Sequence, residues 1–181
     1  DSSYALAWAG LADAYSLSTP NEYNVPGLSA DSLLTLAERA ARRASVLAPR
    51  LGEVLASLGQ VLETRHRWSE AAAAYEQAIQ LSPSYPTAHQ WYSYYLTFHN
   101  RWDESVREME TAHRLDPLSH VITLSLAVAY DGAGRFDEAT PLYAQGLAQS
   151  PEAWYAWKLR IGHELALGHI DAAAVALRRF Q

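Results

Sequence analysis

The stretch LASLGQVLETRHRWSEAAAAYEQAIQLSP, Leu55 to Pro83, decides the fold. Its first half places Leu55, Leu58, Gly59 and Leu62 at i, i+3, i+4 and i+7, which is one face of a helix. Its second half repeats the pattern with Ala71, Tyr75 and Ala78. The small residues Gly59, Ala71 and Ala78 let two helices approach closely, and the Tyr75 ring fills the space beside them. Pro83 cannot continue the second helix and so stops it. The stretch therefore reads as one helical hairpin.

The hairpin recurs along the chain. Pro49, Pro83, Pro117 and Pro151 stand 34 residues apart, as do Trp68, Trp102, Phe136 and Ile170. Ala71, Ser105, Ala139 and Ala173 keep the same interval. So do Ala44, Ala78, Ala112 and Gly146, and again Tyr75, Met109, Tyr143 and Leu177. A fixed period of this length marks a repeat architecture, in which each hairpin buries its apolar side on the next. The second helices open with acidic residues (Asp103 and Glu104, Asp137 and Glu138, Asp171), as the helix dipole favours.

The motifs Trp8-x2-Leu11-Ala12-x2-Tyr15 with Ala37-x3-Ala41-x2-Ala44-x4-Pro49, and Leu55-x2-Leu58-Gly59-x2-Leu62 with Ala71-x3-Tyr75-x2-Ala78-x4-Pro83, resemble the tetratricopeptide (TPR) consensus. The resemblance covers essentially the whole chain and implies an all-α fold. The expected form is an α-solenoid, a right-handed superhelical array of about five TPR hairpins in one domain spanning 1–181, with no sheet. Their bounds are about 3–49, 50–84, 85–118, 119–152 and 153–181. A long loop, 16–30, interrupts the first hairpin; its Pro20, Asn21, Asn24, Pro26 and Gly27 predict an exposed connection, and Asp31 is the expected cap of the helix that resumes. In the fifth hairpin Ile161, Gly162 and Leu165 fit the pattern only if one residue is missing from the turn, which predicts a shifted first helix. The phrases Tyr4-Ala-Leu-Ala-Trp-Ala-Gly-Leu-Ala-Asp-Ala-Tyr15, His89-Gln-Trp-Tyr92 and Leu115-Asp-Pro-Leu-Ser119 further resemble TPR regions attached to bacterial winged-helix regulators, adenylate cyclases and Ser/Thr kinases.

Composition bounds the function. The net charge of −6 argues against general nucleic-acid binding, which needs a basic surface. The chain has no cysteine, so disulfides, thiolate metal sites and cysteine nucleophiles are excluded, but this absence does not locate the protein. The cytoplasm is the favoured compartment, with the periplasm the alternative if the chain follows a membrane anchor in a longer protein. The longest stretch free of charged residues, 77–100, holds two prolines, two histidines and several amides, so membrane insertion is not expected. Beginning at Asp1, without a signal-peptide pattern, the chain reads as a piece of a longer one. No two of the seven histidines have metal-ligand spacing, and Ser, His and Asp occur only as composition, with nothing placing them together. Gly132-Ala-Gly134 is the repeat's turn, not a phosphate loop. No catalytic residue, metal or cofactor is expected.

The resemblance implies a groove lined by first helices. The residues expected to face it are Glu53, Ser57, Gln60 and Thr64, then Thr87, Gln90, Trp91, Tyr94 and Phe98, then Val121, Leu124, Ser125 and Val128. Trp91, Tyr94 and Phe98 form an aromatic stripe beyond the core-facing Tyr92 and Tyr95; the stripe reads either as partner surface or as packing against neighbouring hairpins. The Lys, Asn and Arg that some TPR proteins use to clamp a C-terminal carboxylate are absent: Ala9, Asp13, Ser57, Thr87 and Trp91 stand there. Val175 and Phe180, on a last helix with no following hairpin in this sequence, are candidate partner contacts at the C-terminal end. Arg39, Arg42, Arg43 and Arg50 make the one basic cluster, read as a solvated helix face or an acidic-partner contact. The favoured function is a non-catalytic scaffold that binds a protein or peptide. The alternatives are a ligand- or peptide-sensing module of a bacterial signalling protein, and a structural subunit of a large assembly, membrane-associated or not.

Overall fold

The 34-residue period becomes a period of helix ends. The computed structural model describes residues 2–18 and 27–180, with side chains for 4–18 and 27–179. Among the described residues all regular structure is helical. The helices are α1 (Ser2–Leu17), α2 (Ala30–Leu47), α3 (Gly52–Thr64), α4 (Trp68–Leu81), α5 (Pro86–Phe98), α6 (Trp102–Leu115), α7 (His120–Gly132), α8 (Phe136–Gln149), α9 (Trp154–Ala166) and α10 (Ile170–Phe180). From α3 onward the first helices each span 13 residues, and their start positions 52, 86, 120 and 154 are 34 apart. Helix α9 thus keeps the register, and the missing turn residue expected from its sequence is not missing. Its Gly162 meets no neighbour that a Cβ would strike, so the glycine there is not the packing glycine of the pattern.

The turn inside each hairpin explains the regularity. His66, Asn100, Gly134 and Gly168, again 34 apart, all take positive φ of 60, 59, 73 and 75°. Each is followed by a residue whose N–H reaches back to the carbonyl five residues earlier: Arg67 to Leu62 at 2.9 Å, Arg101 to Leu96 at 2.9 Å, Arg135 to Tyr130 at 2.8 Å and His169 to Glu164 at 2.8 Å. This is the Schellman ending, which satisfies the last carbonyls of a helix through one left-handed residue. Two of the four sites use glycine, which adopts that conformation freely, and two do not. The arginine that then opens the second helix pairs with the glutamate three residues on: Arg67 with Glu70, Arg101 with Glu104 and Arg135 with Glu138, at 2.7, 2.7 and 3.0 Å. These exposed pairs contribute little individually.

The chain forms two compact units, Asp1–Tyr95 and Leu96–Gln181. In the first, α1 pairs with α2 and α3 with α4, and α3 also packs on α1 and α2. Its core is alanine-rich: Ala12, Ala37, Ala40 and Ala41 surround Val61, and Ala5, Ala9 and Ala44 surround Val54. Tyr75 is fully buried, donates to the Glu63 carboxylate at 2.7 Å, and lies 5.9 and 6.2 Å from the rings of Tyr92 and Tyr95. A Cβ on Gly59 would stand 2.7 Å from the Tyr75 ring, so glycine sets how closely α3 and α4 approach.

In the second unit α7 pairs with α8 and α9 with α10. Val106, Met109 and Ala112 pack with Ile122, Leu126 and Ala129, while Leu124, Tyr143 and Leu147 enclose Ala127, Ala139 and Ala156. Leu124, expected on the groove face, is in this core. A Cβ on Gly146 would lie 2.6 Å from it, so Leu124 occupies the space that the glycine leaves empty.

The expected cap of α2 is also corrected. The helix begins at Ala30, and Ser29, in an extended conformation, accepts the Ser32 N–H at 3.2 Å. Asp31 falls inside the first turn, where its carboxylate takes the Arg65 guanidinium at 2.9 Å. Of the predicted loop 16–30, positions 19–26, which include Pro20, Asn21, Asn24 and Pro26, lie outside the described residues. Gly27 has φ of 84°. None of the helices among the described residues is long and apolar enough to cross a membrane.

Candidate functional site

In the first unit the candidate residues sit on the first helices α1, α3 and α5. Glu53, Ser57, Gln60 and Thr64 recur at i, i+4, i+7 and i+11 of α3 and so share one face. Ser57 is buried and donates to the Glu53 carbonyl at 3.3 Å. The half-buried Glu53 carboxylate accepts from the Ser82 hydroxyl at 3.3 Å. Gln60 takes the buried Ser16 hydroxyl on its side-chain oxygen, and its backbone carbonyl takes the Thr64 hydroxyl at 2.9 Å. Ser16 also lies 3.4 Å from the Thr64 hydroxyl, so these three residues tie α1 to α3. Ser57 is thus held by its own helix rather than offered to solvent, and Glu53, Gln60 and Thr64 are the groups of this face that solvent reaches.

Beside them stands Asp13 of α1, noticed in the sequence only as one of the positions that lack a carboxylate clamp. Burial pushes its carboxyl up to about 6, against a smaller opposing effect of the Ser57 hydroxyl. Its Oδ1 is buried and has no hydrogen-bond partner among the described residues. Tyr85 is raised as well, by burial first and then by the charges of Asp13 and Glu53. This face of the unit is therefore polar and acidic.

The aromatic stripe divides by environment. Trp91 is half-buried and packs on the cluster of Leu55, Ala56, Ala78 and Ala88. Tyr94 is 41% exposed, and its hydroxyl oxygen accepts from the Gln90 amide at 2.8 Å. Gln90 itself is buried. Tyr92 and Tyr95 are buried and stacked 6.0 Å apart, so they fill the core side of α5 and leave Tyr94 outside it. Phe98, at the end of α5, is 64% exposed, with its ring 5.4 Å from that of His99.

The second unit carries a polar cluster that the sequence reading missed. Nδ1 of His163 lies 2.8 Å from Oδ1 of Asp131, and its Nε2 lies 2.9 Å from the Thr140 hydroxyl. The Tyr143 hydroxyl donates to the same Asp131 carboxylate at 2.7 Å, with its ring 4.7 Å from the imidazole. The side chains thus bring together a hydroxyl, a histidine and a carboxylate that composition alone had left scattered. Their geometry is that of a brace. The His163 side chain is sealed from solvent, and the Thr140 hydroxyl donates to the Phe136 carbonyl at 2.9 Å, which commits its hydrogen to the helix backbone. Burial first, and then the hydrogen bond to Asp131, push Tyr143 well above the ordinary tyrosine range. The pair repeats that of Tyr75 with Glu63, whose numbers differ from it by two periods. No group of three His, Cys, Asp or Glu side chains that could hold a metal occurs among the described residues.

On the last helix Val175 is 50% exposed, beside exposed Ile170 and Leu177. The Phe180 side chain lies outside the described residues.

Two stretches, residues 52–85 and 123–153, match family models described as tetratricopeptide repeat. Among solved structures, the chain is similar to a crystal structure of MamA, with a TM-score of 0.69 and 17% identity over 83% of this chain and 88% of that one. It is also similar to MamA from residue 41 to the end from Desulfovibrio magneticus RS-1, with a TM-score of 0.70 and 14% identity over 96% and 93% of the two chains. No curated protein sequence matches. At these identities the likeness is one of fold.

Proposed function

Because this chain is a tetratricopeptide-repeat protein, we propose that it works as a non-catalytic scaffold that holds a segment of another protein against the first-helix face of its first unit. Repeat folds of this class present faces rather than pockets, and function on them rests on what the exposed side chains offer. The observation that carries the reading is Tyr94. It is an exposed aromatic residue, oriented by the buried Gln90, on a helix whose core side is already filled by Tyr92 and Tyr95. Such a ring gives a partner a large contact area at little entropic cost. Trp91 beside it, with Gln60 and Glu53 across on α3, supplies the rest of the surface. In the second unit, Phe98 is a separate contact, and Val175 and Phe180 form another at the C-terminal end.

The test pairs binding with folding. The tagged chain and its Tyr94→Ala variant are used to capture partner from the source organism, and both are melted. Loss of a hot-spot ring costs about 2 kcal/mol, some thirtyfold in affinity. Captured partner should therefore fall steeply while the melting temperature stays put. Trp91→Ala should lower both, since Trp91 also packs on Leu55 and Ala88. Undiminished capture by Tyr94→Ala would remove the basis for this reading.

A further inference from the structure

The first hairpin has a second surface, away from the site above. A groove of about 710 Å³ runs between α1 and α2, floored by Trp8, Leu11 and Tyr15 on one side and Leu36, Ala40 and Val46 on the other. We propose that it docks an acidic amphipathic helix of a partner protein.

Helix α1 supports an occupant. Its inner stripe, Ala5, Ala9, Ala12 and Ser16, is buried against its own unit. The adjoining stripe is apolar as well: Tyr4 is 54% exposed, Leu11 38%, and Trp8 and Tyr15 continue it at i, i+4, i+7 and i+11. Two adjacent apolar stripes make a wider apolar face than burial against one neighbour requires, which suits the helix to a second contact. Across the groove Val46 of α2 is 72% exposed. The size of the occupant is indicated by the hairpin itself, because the same pair, α1 and α2, already seats a helix, α3.

The charge of the rim selects the chemistry. Among the described residues Arg39, Arg42 and Arg43 line the groove and no acidic residue does, in a chain whose net charge is −6. Arg42 is held by Glu38 at 2.8 Å. Arg39 and Arg43 are exposed, and neither has a hydrogen bond or ion pair among the described residues. They stand one turn apart on α2, a spacing that glutamates at i and i+4 of an opposing helix would match. An apolar floor bordered on its α2 side by these two guanidiniums therefore fits a helix with leucines on one face and carboxylates beside them.

The probe is a labelled designed peptide that forms a helix with leucine on one face and glutamate on the other, titrated against the full chain by fluorescence anisotropy. A sibling peptide carries lysine for every glutamate. The acidic peptide should bind at least about tenfold more tightly than the sibling, and added salt should weaken it. Arg39→Glu combined with Arg43→Glu should cost at least about tenfold, and Val46→Asp alone a similar factor. All three positions are exposed, so melting should not change; Arg39→Gln with Arg43→Gln gives the same readout if charge reversal impairs folding. Equal binding of the two peptides, or affinity unmoved by these variants, would overturn the proposal. So would binding to phosphatidylserine vesicles without binding to the peptide, which would make the rim a membrane contact. Self-association lost on Val46→Asp would make the occupant a second copy and equally overturn it.

Discussion

Replacing Asp13 by asparagine should make the protein more stable near neutral pH and flatten part of its pH dependence. The ordinary value of this carboxyl is 3.8, and in the fold it is about 6. A group raised in this way is stabilising only when protonated. Its contribution is fully present below the unfolded value and is lost as pH rises through about 6. A difference of about 2 units corresponds to at most about 3 kcal/mol. Asp13 is only half-buried, so screening by solvent reduces the expected effect to about 1–2 kcal/mol. Urea unfolding followed by circular dichroism at several pH values between about 4 and 7.5 measures this directly. The Asp13→Asn variant should be the more stable protein at the upper end, by about 1–2 kcal/mol, and the two should converge at the lower end. The gap corresponds to roughly 2–8 °C in melting temperature. A constant difference at every pH, or an asparagine variant less stable at neutral pH, would show that the Asp13 carboxylate is satisfied by a contact that its buried Oδ1 does not have.

Two further substitutions test the packing and the turns. Gly59→Ala puts a Cβ 2.7 Å from the ring of Tyr75, which is buried and bonded to Glu63, so it should cost about 1–3 kcal/mol in unfolding free energy, read from the same urea titration. His66→Gly should act in the opposite direction, because a non-glycine residue is held there at φ of 60°. A gain of about 1 kcal/mol is expected, less whatever the contact between His66 and Trp68, at 5.0 Å, contributes.

The period made most of the fold legible. Columns such as Ala71, Ser105, Ala139 and Ala173 locate the second helices because one small residue per repeat is needed where helices touch. Gly134 and Gly168 mark left-handed turns by residue type, whereas His66 and Asn100 mark the same turns only through their spacing. Departures came where a local rule met a neighbour from elsewhere in the chain. Asp31 was the better-known cap by charge, but Ser29 has the extended backbone that a cap requires. Leu124 lies on the expected groove face of its helix by angle, and its burial follows from Gly146 on another helix. The site was less legible for the same reason. A helical wheel gives the direction of Ser57 and Gln90 but not their burial, which depends on Asp13 and Tyr94 beside them. Asp131, Thr140 and His163 come from three helices, and no spacing within any one of them announces the cluster.

The central claim, that the Tyr94 side of the first unit is where a partner sits, is tested most directly by photocrosslinking in living cells of the source organism. The photoreactive residue p-benzoylphenylalanine is placed at Tyr94, and separately at Gln145, an exposed position on α8. The account predicts a discrete, heavier protein adduct on irradiation from position 94 and none from position 145. An adduct from Gln145 alone, or irradiation that leaves the Tyr94 protein at its own mass, would contradict it.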